Sequence, residues 1–123
     1  LSSAMVRQAD MYNLPFAPQT FDTVTVDQIL FQAERPAEVI AEASRVLKAD
    51  GCLLIVDFAR AGDGTKELTA DSTGGLFGVR ESDIEEWLRR AGLACRRTTR
   101  LTSASLTVVL TVAQRGRAQV IAA

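Results

Sequence analysis

The feature that most constrains the fold is an unbroken apolar run, Cys52-Leu53-Leu54-Ile55-Val56, which follows a helical pattern. A run of this kind is typical of a strand that is covered on both faces, as in parallel sheets. Upstream of the run, Pro36 suits the first turn of a helix, and apolar residues then recur three and four apart. The pattern predicts a helix over residues 36–48, a turn at Asp50-Gly51 and a central parallel strand.

Two segments before this helix have the composition of strands. Residues 21–26 read Phe-Asp-Thr-Val-Thr-Val, an alternation rich in β-branched residues, and a polar loop follows them. Residues 5–9 form a shorter candidate strand that leads into Asp10 and the turn-like Asn13-Leu14-Pro15. Since parallel strands need crossover helices, a strand at residue 5 with no helix before it suggests that the domain begins outside this sequence.

The C-terminal half predicts a loop, a helix and a hairpin. Glycines spread through residues 59–78 predict a loop or lid. Ser82 and Glu85 stand in a capping-box arrangement ahead of an apolar helical face that Gly92 ends. Residues 93–101 and 105–114 are rich in β-branched residues, which predicts an antiparallel hairpin. Its first strand has a solvated edge formed by Arg96, Arg97 and Arg100.

Composition excludes several classes of function. The chain has 123 residues, 47% of them hydrophobic and 24% charged, with a net charge of -1, so we expect no binding to nucleic acid. Histidine is absent, which excludes a Ser/His/Asp triad and imidazole metal sites, and we expect no metal. Cys52 and Cys95 lie far apart and are expected to be buried free thiols. Without a membrane span or signal peptide, we expect a cytoplasmic protein.

Three motifs follow one another along the chain: Val6-Arg7-Gln8-Ala9-Asp10-Met11-Tyr12-Asn13-Leu14-Pro15-Phe16, then Phe21-Asp22, then Arg45-Val46-Leu47-Lys48-Ala49-Asp50-Gly51. In content and spacing they resemble class I S-adenosylmethionine-dependent methyltransferases of the type 11 kind. In that family an acidic residue and a Leu-Pro-Phe turn close the third strand, Phe-Asp opens the fourth, and an Arg-Val-Leu-Lys-Pro-Gly-Gly-like turn opens the fifth. The downstream pattern, with Leu54-Ile55-Val56-Asp57-Phe58, is most similar to methyltransferase domains fused behind ArsR-type winged-helix regulators.

The resemblance implies an α/β fold: a partial Rossmann-like sheet, mostly parallel, with a C-terminal antiparallel hairpin and without the first βαβ unit. Residues 1–114 would form this truncated domain, from the third strand onward, and residues 115–123 a tail. The implied function is methyl transfer from S-adenosylmethionine to an unidentified small-molecule acceptor in the complete protein. The alternative is a non-catalytic domain of an ArsR-type regulator that binds a ligand or a partner.

Four residues carry the family's site by resemblance. Asp10 would accept a hydrogen bond from the adenine amino group, and the backbone of Met11 would meet the edge of the adenine ring. Asp27 and Gln28 would lie near the methionine end of the cofactor, and Asp27 is the first candidate for a base. Turn-capping roles for Asp10 and Asp27 and a core role for Met11 are the structural alternatives. Asp57 could face the same crevice or be satisfied by nearby backbone.

The sequence lacks a Gly-x-Gly-x-Gly loop between a strand and a helix, and it also lacks an acidic residue ending a second strand. Such glycines let backbone N–H groups approach the cofactor closely. We therefore expect this chain alone to bind S-adenosylmethionine weakly or not at all and to be inactive. We also expect the strand over residues 21–26 to be an unpaired edge through which a homodimer can form.

Overall fold

The computed structural model describes residues 7–60, 78–103 and 106–115. In chain order they form β1 (Phe21–Asp27), a 3-10 turn (Leu30–Gln32), α1 (Pro36–Val46), β2 (Leu47–Phe58), α2 (Glu81–Arg90), β3 (Leu93–Thr102) and β4 (Thr107–Arg115). The strands make a four-stranded sheet in the order β1-β2-β4-β3. β1 and β2 are parallel, whereas β4 is antiparallel to both of its neighbours. The predicted α/β fold with a C-terminal antiparallel hairpin is confirmed, but the described sheet is mixed, with one parallel and two antiparallel strand pairs, rather than mostly parallel.

The passage from α1 into β2 is shorter than the sequence predicts. α1 ends at Val46 and β2 begins at once with Leu47, so Asp50 and Gly51 lie inside the strand rather than in a turn. The parallel register with β1 slips between Leu47 and Cys52, which places the extra residues of β2 in a bulge. A Cβ atom on Gly51 would lie 2.8 Å from the backbone oxygen of Asp22, so the close approach of the two strands requires glycine.

Both helices pack on the same face of the sheet and form the core there. Leu53 and Ile55 of β2 are fully buried on this face, together with Ile40 of α1 and Ile84 of α2. On the opposite face Leu54 and its neighbours are only half-buried. The prediction that β2 is covered on both faces is therefore met on one face only by the described residues.

Helix α2 starts one residue earlier than its predicted cap. Arg80 is the N-cap residue and makes no side-chain capping bond, so the predicted capping box of Ser82 and Glu85 is wrong. Ser82 already lies in the first helical turn, and acidic residues in this turn stabilise the helix N-terminus through its dipole. The apolar face is confirmed, because Ile84 and Leu88 are buried. Gly92 follows the helix with φ of 82°, as expected of a C-terminal glycine.

The predicted hairpin is confirmed, with pairing from Leu93–Arg115 to Thr102–Thr107. The three arginines on β3 are exposed, as predicted for a solvated edge. β4 continues through Arg115, one residue beyond the predicted end of the second hairpin strand. The Arg115 guanidinium donates to the Leu47 carbonyl at 2.7 Å and to Ser44 Oγ at 3.0 Å, so it ties β4 to the end of α1.

The predicted strand over residues 5–9 does not form where the structure describes it. Residues 7–9 have no strand geometry, and residues 5 and 6 lie outside the described part. Within the described residues the outer edge of β1 has no partner strand, and residues 7–9 do not pair with it. The edge position of β1 among the described strands agrees with the sequence expectation.

Three further expectations concern composition. Cys52 and Cys95 are free thiols, as predicted, but both are half-buried rather than buried. In the described part of the chain, every helix is too short or too polar to cross a bilayer. The same residues contain no cluster of three or more acidic or cysteine side chains suited to a metal ion. Nearly all of the loop predicted over residues 59–78 lies outside the described residues.

Candidate functional site at the carboxyl ends of the parallel strands

Asp27 and Gln28 lie where the parallel pair β1 and β2 ends. Asp27 is the last residue of β1 and pairs in register with Val56 of β2. Gln28 then leaves the strand with φ of 58°, and its N–H donates to the Val56 carbonyl at 2.6 Å. Both residues are exposed. In open α/β sheets the carboxyl ends of parallel strands are the usual place for a ligand, so these two residues stand where a binding site is expected.

Asp57 lies one residue further along β2 and is fully buried. Its Oδ2 accepts a hydrogen bond from Leu30 N–H, and its Oδ1 accepts one from Phe58 N–H, both at 2.8 Å. Burial raises the pKa of this carboxyl group, while the N–H groups of Phe58, Leu30 and Phe31 oppose the shift and the charge of Asp27 adds to it. Of the two roles predicted for Asp57, satisfaction by nearby backbone is the one that the structure shows.

Asp10 closes a tight turn. Its Oδ1 accepts a hydrogen bond from Tyr12 N–H at 2.9 Å, and its carbonyl accepts one from Asn13 N–H at 2.9 Å. This is the turn-capping role that the sequence left open. Oδ2 has no hydrogen-bond donor among the described residues, and the side chain is exposed, so one carboxylate oxygen remains available to a ligand. Met11 is half-buried and packs against the core, in agreement with its structural alternative.

Tyr12 joins the Asp10 turn to the start of α1. The Arg35 guanidinium lies 4.1 Å from the centre of the Tyr12 ring, and Arg35 N–H donates to the Tyr12 hydroxyl at 3.2 Å. Arg35 is the N-cap residue of α1, at the end of the segment that begins with Gln28. The Asp10 turn and the end of β1 therefore border opposite ends of the same connection, residues 28–35.

An ion pair on α1 holds the chain that follows the Asp10 turn. Arg45 and Glu42 contact each other at 2.6 Å, and Glu42 Oε2 also accepts the Leu14 N–H at 2.6 Å. The Arg45 guanidinium donates to the carbonyls of Phe16, at 2.9 Å, and Leu14, at 3.0 Å. The side-chain hydrogen bond from Arg45 lowers the pKa of Glu42. We call this arrangement the Glu42–Arg45 clamp.

The clamp was not among the residues singled out from the sequence. It shows why two of the motifs occur together, because Arg45 of the Arg-Val-Leu-Lys motif holds the backbone of the Leu-Pro-Phe turn. The available signal was the spacing of Glu42 and Arg45, three residues apart on one helix. The backbone carbonyls of Leu14 and Phe16 carry no signal in the sequence, so the partner of the ion pair could not be found from it.

The N-terminal part of the chain is similar in sequence to known methyltransferases. Residues 2–55 match the family model described as a methyltransferase domain. A ubiquinone/menaquinone biosynthesis C-methyltransferase of Roseobacter denitrificans is 39% identical over 51 residues, which are 42% of this chain and 20% of that protein. The match thus spans about a fifth of the curated relative.

Solved structures extend the likeness over most of the chain. A Burkholderia thailandensis 1,6-didemethyltoxoflavin-N1-methyltransferase, solved with that compound and S-adenosylhomocysteine, has a TM-score of 0.68 at 21% identity. That alignment covers 89% of this chain and 49% of the enzyme. The cyclase SpnF gives a TM-score of 0.71 at 17% identity, over 87% of this chain and 54% of the cyclase.

Residues 2–55 resemble the methyltransferase domain in sequence, and the described sheet has the fold of solved methyltransferases. Because SpnF is a cyclase with the same fold, the fold by itself does not assign methyl transfer.

Proposed function

We propose that this chain forms the adenine-edge and acceptor-side part of an S-adenosylmethionine-dependent methyltransferase, which in its complete form methylates a small molecule. The observation that carries the proposal is the position of Asp27 and Gln28 at the carboxyl ends of a parallel strand pair. The match of residues 2–55 to the methyltransferase domain supports it independently.

The Asp10 turn fits the adenine end of the cofactor. The free Oδ2 of Asp10 is an exposed acceptor suited to an amino group, while its Oδ1 is used by Tyr12. Met11, half-buried beside it, offers a polarisable apolar surface against a ring. The Tyr12–Arg35 contact and the Glu42–Arg45 clamp hold this turn on α1, which would preorganise Asp10 for binding.

Asp27 and Gln28 would border the reacting methyl group. Bound S-adenosylmethionine supplies a methyl group on a sulfonium with an activated leaving group, so that positioning and exclusion of water are the main tasks of the protein. An acceptor hydroxyl or amine could donate a hydrogen bond to the exposed Asp27 carboxylate, which would orient it and take its proton where deprotonation is required.

Binding of S-adenosylhomocysteine, measured by calorimetry, tests the cofactor part of the proposal. We expect weak or no binding by the 123-residue chain and clear binding by a polypeptide extended with any residues that its gene encodes before Leu1. In the extended polypeptide, Asp10→Ala should weaken binding by about tenfold, the loss expected for one hydrogen bond. Asp50→Ala is the matched control, because Asp50 is an exposed acid within the bulge of β2.

Two results would contradict this proposal. One is micromolar binding by the 123-residue chain itself, and the other is equal binding by the extended wild type and Asp10→Ala. Methyl transfer is then tested by mass spectrometry of acceptor mixtures incubated with the extended polypeptide. Binding without any methylated product would favour the alternative, a ligand-binding domain of an ArsR-type regulator.

We also propose that the chain forms a homodimer through the outer edge of β1. Within the described residues this edge has no partner strand, and Thr23 and Thr25 on it are exposed. Sedimentation velocity should show a dimer for the wild type and a monomer for the double variant Thr23→Lys and Thr25→Lys, since lysines on an edge oppose pairing. A wild-type chain that stays monomeric at high concentration would disprove the dimer.

A further inference from the structure

Asp57 is the only charged side chain that is buried in the described part of the chain. Burying a carboxylate is costly unless hydrogen bonds and nearby dipoles compensate for the lost water. Among the described residues the compensation comes from backbone N–H groups, those of Leu30, Phe31 and Phe58. An apolar side chain at this position on the core face of β2 would avoid the free-energy cost of burying a carboxylate, so a specific role for Asp57 is expected.

The N–H groups that donate to the Asp57 carboxylate show which segment it holds in place. Leu30 and Phe31 belong to the 3-10 turn that follows Asp27 and Gln28, and Leu30 lies 27 residues away from Asp57 in sequence. The segment from Gln28 to Phe31, which leads into this turn, contacts β2 at two more points. Gln28 N–H donates to Val56, and the Phe31 ring meets the Phe58 ring edge-on with centroids 5.1 Å apart.

The left-handed backbone of Gln28 makes this fixation necessary. Its φ of 58° lies in the left-handed region, which is unfavourable for a residue other than glycine. Such a conformation persists only where the surroundings over-determine it. Contacts with the end of β2 hold the backbone at Gln28 and after it in this conformation. Among them, the hydrogen bonds to the buried Asp57 carboxylate are charge-assisted.

We propose that Asp57 is a positioning residue, whose buried carboxylate fixes the 3-10 turn and thereby sets the direction in which Asp27 and Gln28 project. Its effect on ligand binding rests on the function proposed above, whereas its effect on the turn does not. Asp57 itself touches no ligand, because it has no exposed surface.

Amide hydrogen exchange and S-adenosylhomocysteine binding together test this inference, in the extended polypeptide described above. In Asp57→Ala we expect the Leu30 amide to exchange at least tenfold faster, with the Ile55 amide in the sheet unchanged, and S-adenosylhomocysteine to bind about tenfold more weakly. Asp57→Asn should restore part of both, since one amide oxygen can still accept a backbone N–H. Thr111→Val, a buried polar residue paired with Ile55, is the control and should change neither.

The outcomes are distinguishable from failure of the proposed function. If the wild type does not bind S-adenosylhomocysteine, the proposed function fails, while the exchange of the Leu30 amide still decides whether Asp57 holds the turn. Unchanged exchange of this amide in Asp57→Ala overturns the inference. Faster exchange with unchanged S-adenosylhomocysteine affinity also overturns it. If Asp57→Ala does not fold, Asp57→Asn decides alone by the same two measurements.

Discussion

Replacing Glu42 tests the account of the Glu42–Arg45 clamp. The Glu42 side chain is 13% exposed, and its carboxylate accepts hydrogen bonds from the Arg45 guanidinium and from the Leu14 N–H. A hydrogen bond to a charged group contributes about 1.5–3 kcal/mol. Allowing for solvent at this partly exposed position, we expect Glu42→Ala to lower the free energy of unfolding by about 2 kcal/mol. Glu42→Gln keeps an acceptor for Leu14 and should cost about 1 kcal/mol.

The matched control is Glu38→Ala on the same helix. Glu38 pairs with Arg35 at 3.0 Å, but its side chain is 56% exposed and it holds no backbone group of another segment. Exposed pairs of this kind contribute about 0.5 kcal/mol or less. In urea, with a slope of about 2 kcal/mol per M, the midpoint should fall by about 1 M for Glu42→Ala and by about 0.2 M for Glu38→Ala. Equal shifts for the two variants would refute the reasoning.

Three further predictions follow from the structure. Gly51→Ala should lower the free energy of unfolding, measured in urea, by about 2–3 kcal/mol, because its Cβ would lie 2.8 Å from the backbone of β1. Gly92→Ala meets no atom and should cost only about 1 kcal/mol for its positive φ, and equal costs for the two variants would contradict the bulge. Burial raises the pKa of the Asp57 carboxyl group, so ionisation of this group costs more in the folded protein than in the unfolded chain. The free energy of unfolding of wild type relative to Asp57→Asn should therefore be highest below the pKa of Asp57 in the unfolded chain and should fall as pH rises from that value through the pKa of folded Asp57. A flat difference would contradict this. The pKa of Glu42 is lowered, so its effect on stability has the opposite dependence on pH. The free energy of unfolding of wild type relative to Glu42→Gln should fall as pH falls from 4.5 through the pKa of folded Glu42, and a difference in urea midpoints that does not change with pH would contradict the ion pair.

The sequence predicted the elements whose residues show a clear period. The alternation in β1 and the apolar face of α2 are examples, because burial of one face imposes those periods directly. The site residues came from the family resemblance. An aspartate after a strand, such as Asp10 or Asp27, can either contact a ligand or cap a turn, and the residue type alone does not distinguish the two roles.

The errors arose where tertiary contacts override local signals. The turn expected at Asp50 and Gly51 is a bulge, because β2 pairs with β1 from Leu47 onward. The capping box at Ser82 failed because α2 begins one residue before the predicted cap. The apolar run of β2 does not show whether one or both faces of the strand are covered. The half-buried Leu54 and Val56 are as apolar as the buried Leu53 and Ile55.

The most direct test of the central claim is a crystal structure of the extended polypeptide with S-adenosylhomocysteine bound. The account predicts that the adenine amino group lies within hydrogen-bond distance of Asp10 Oδ2, and that the homocysteine sulfur lies beside Asp27 and Gln28 at the carboxyl ends of β1 and β2. A ligand bound at another part of the sheet, with Asp10 and Asp27 both facing solvent, would contradict it.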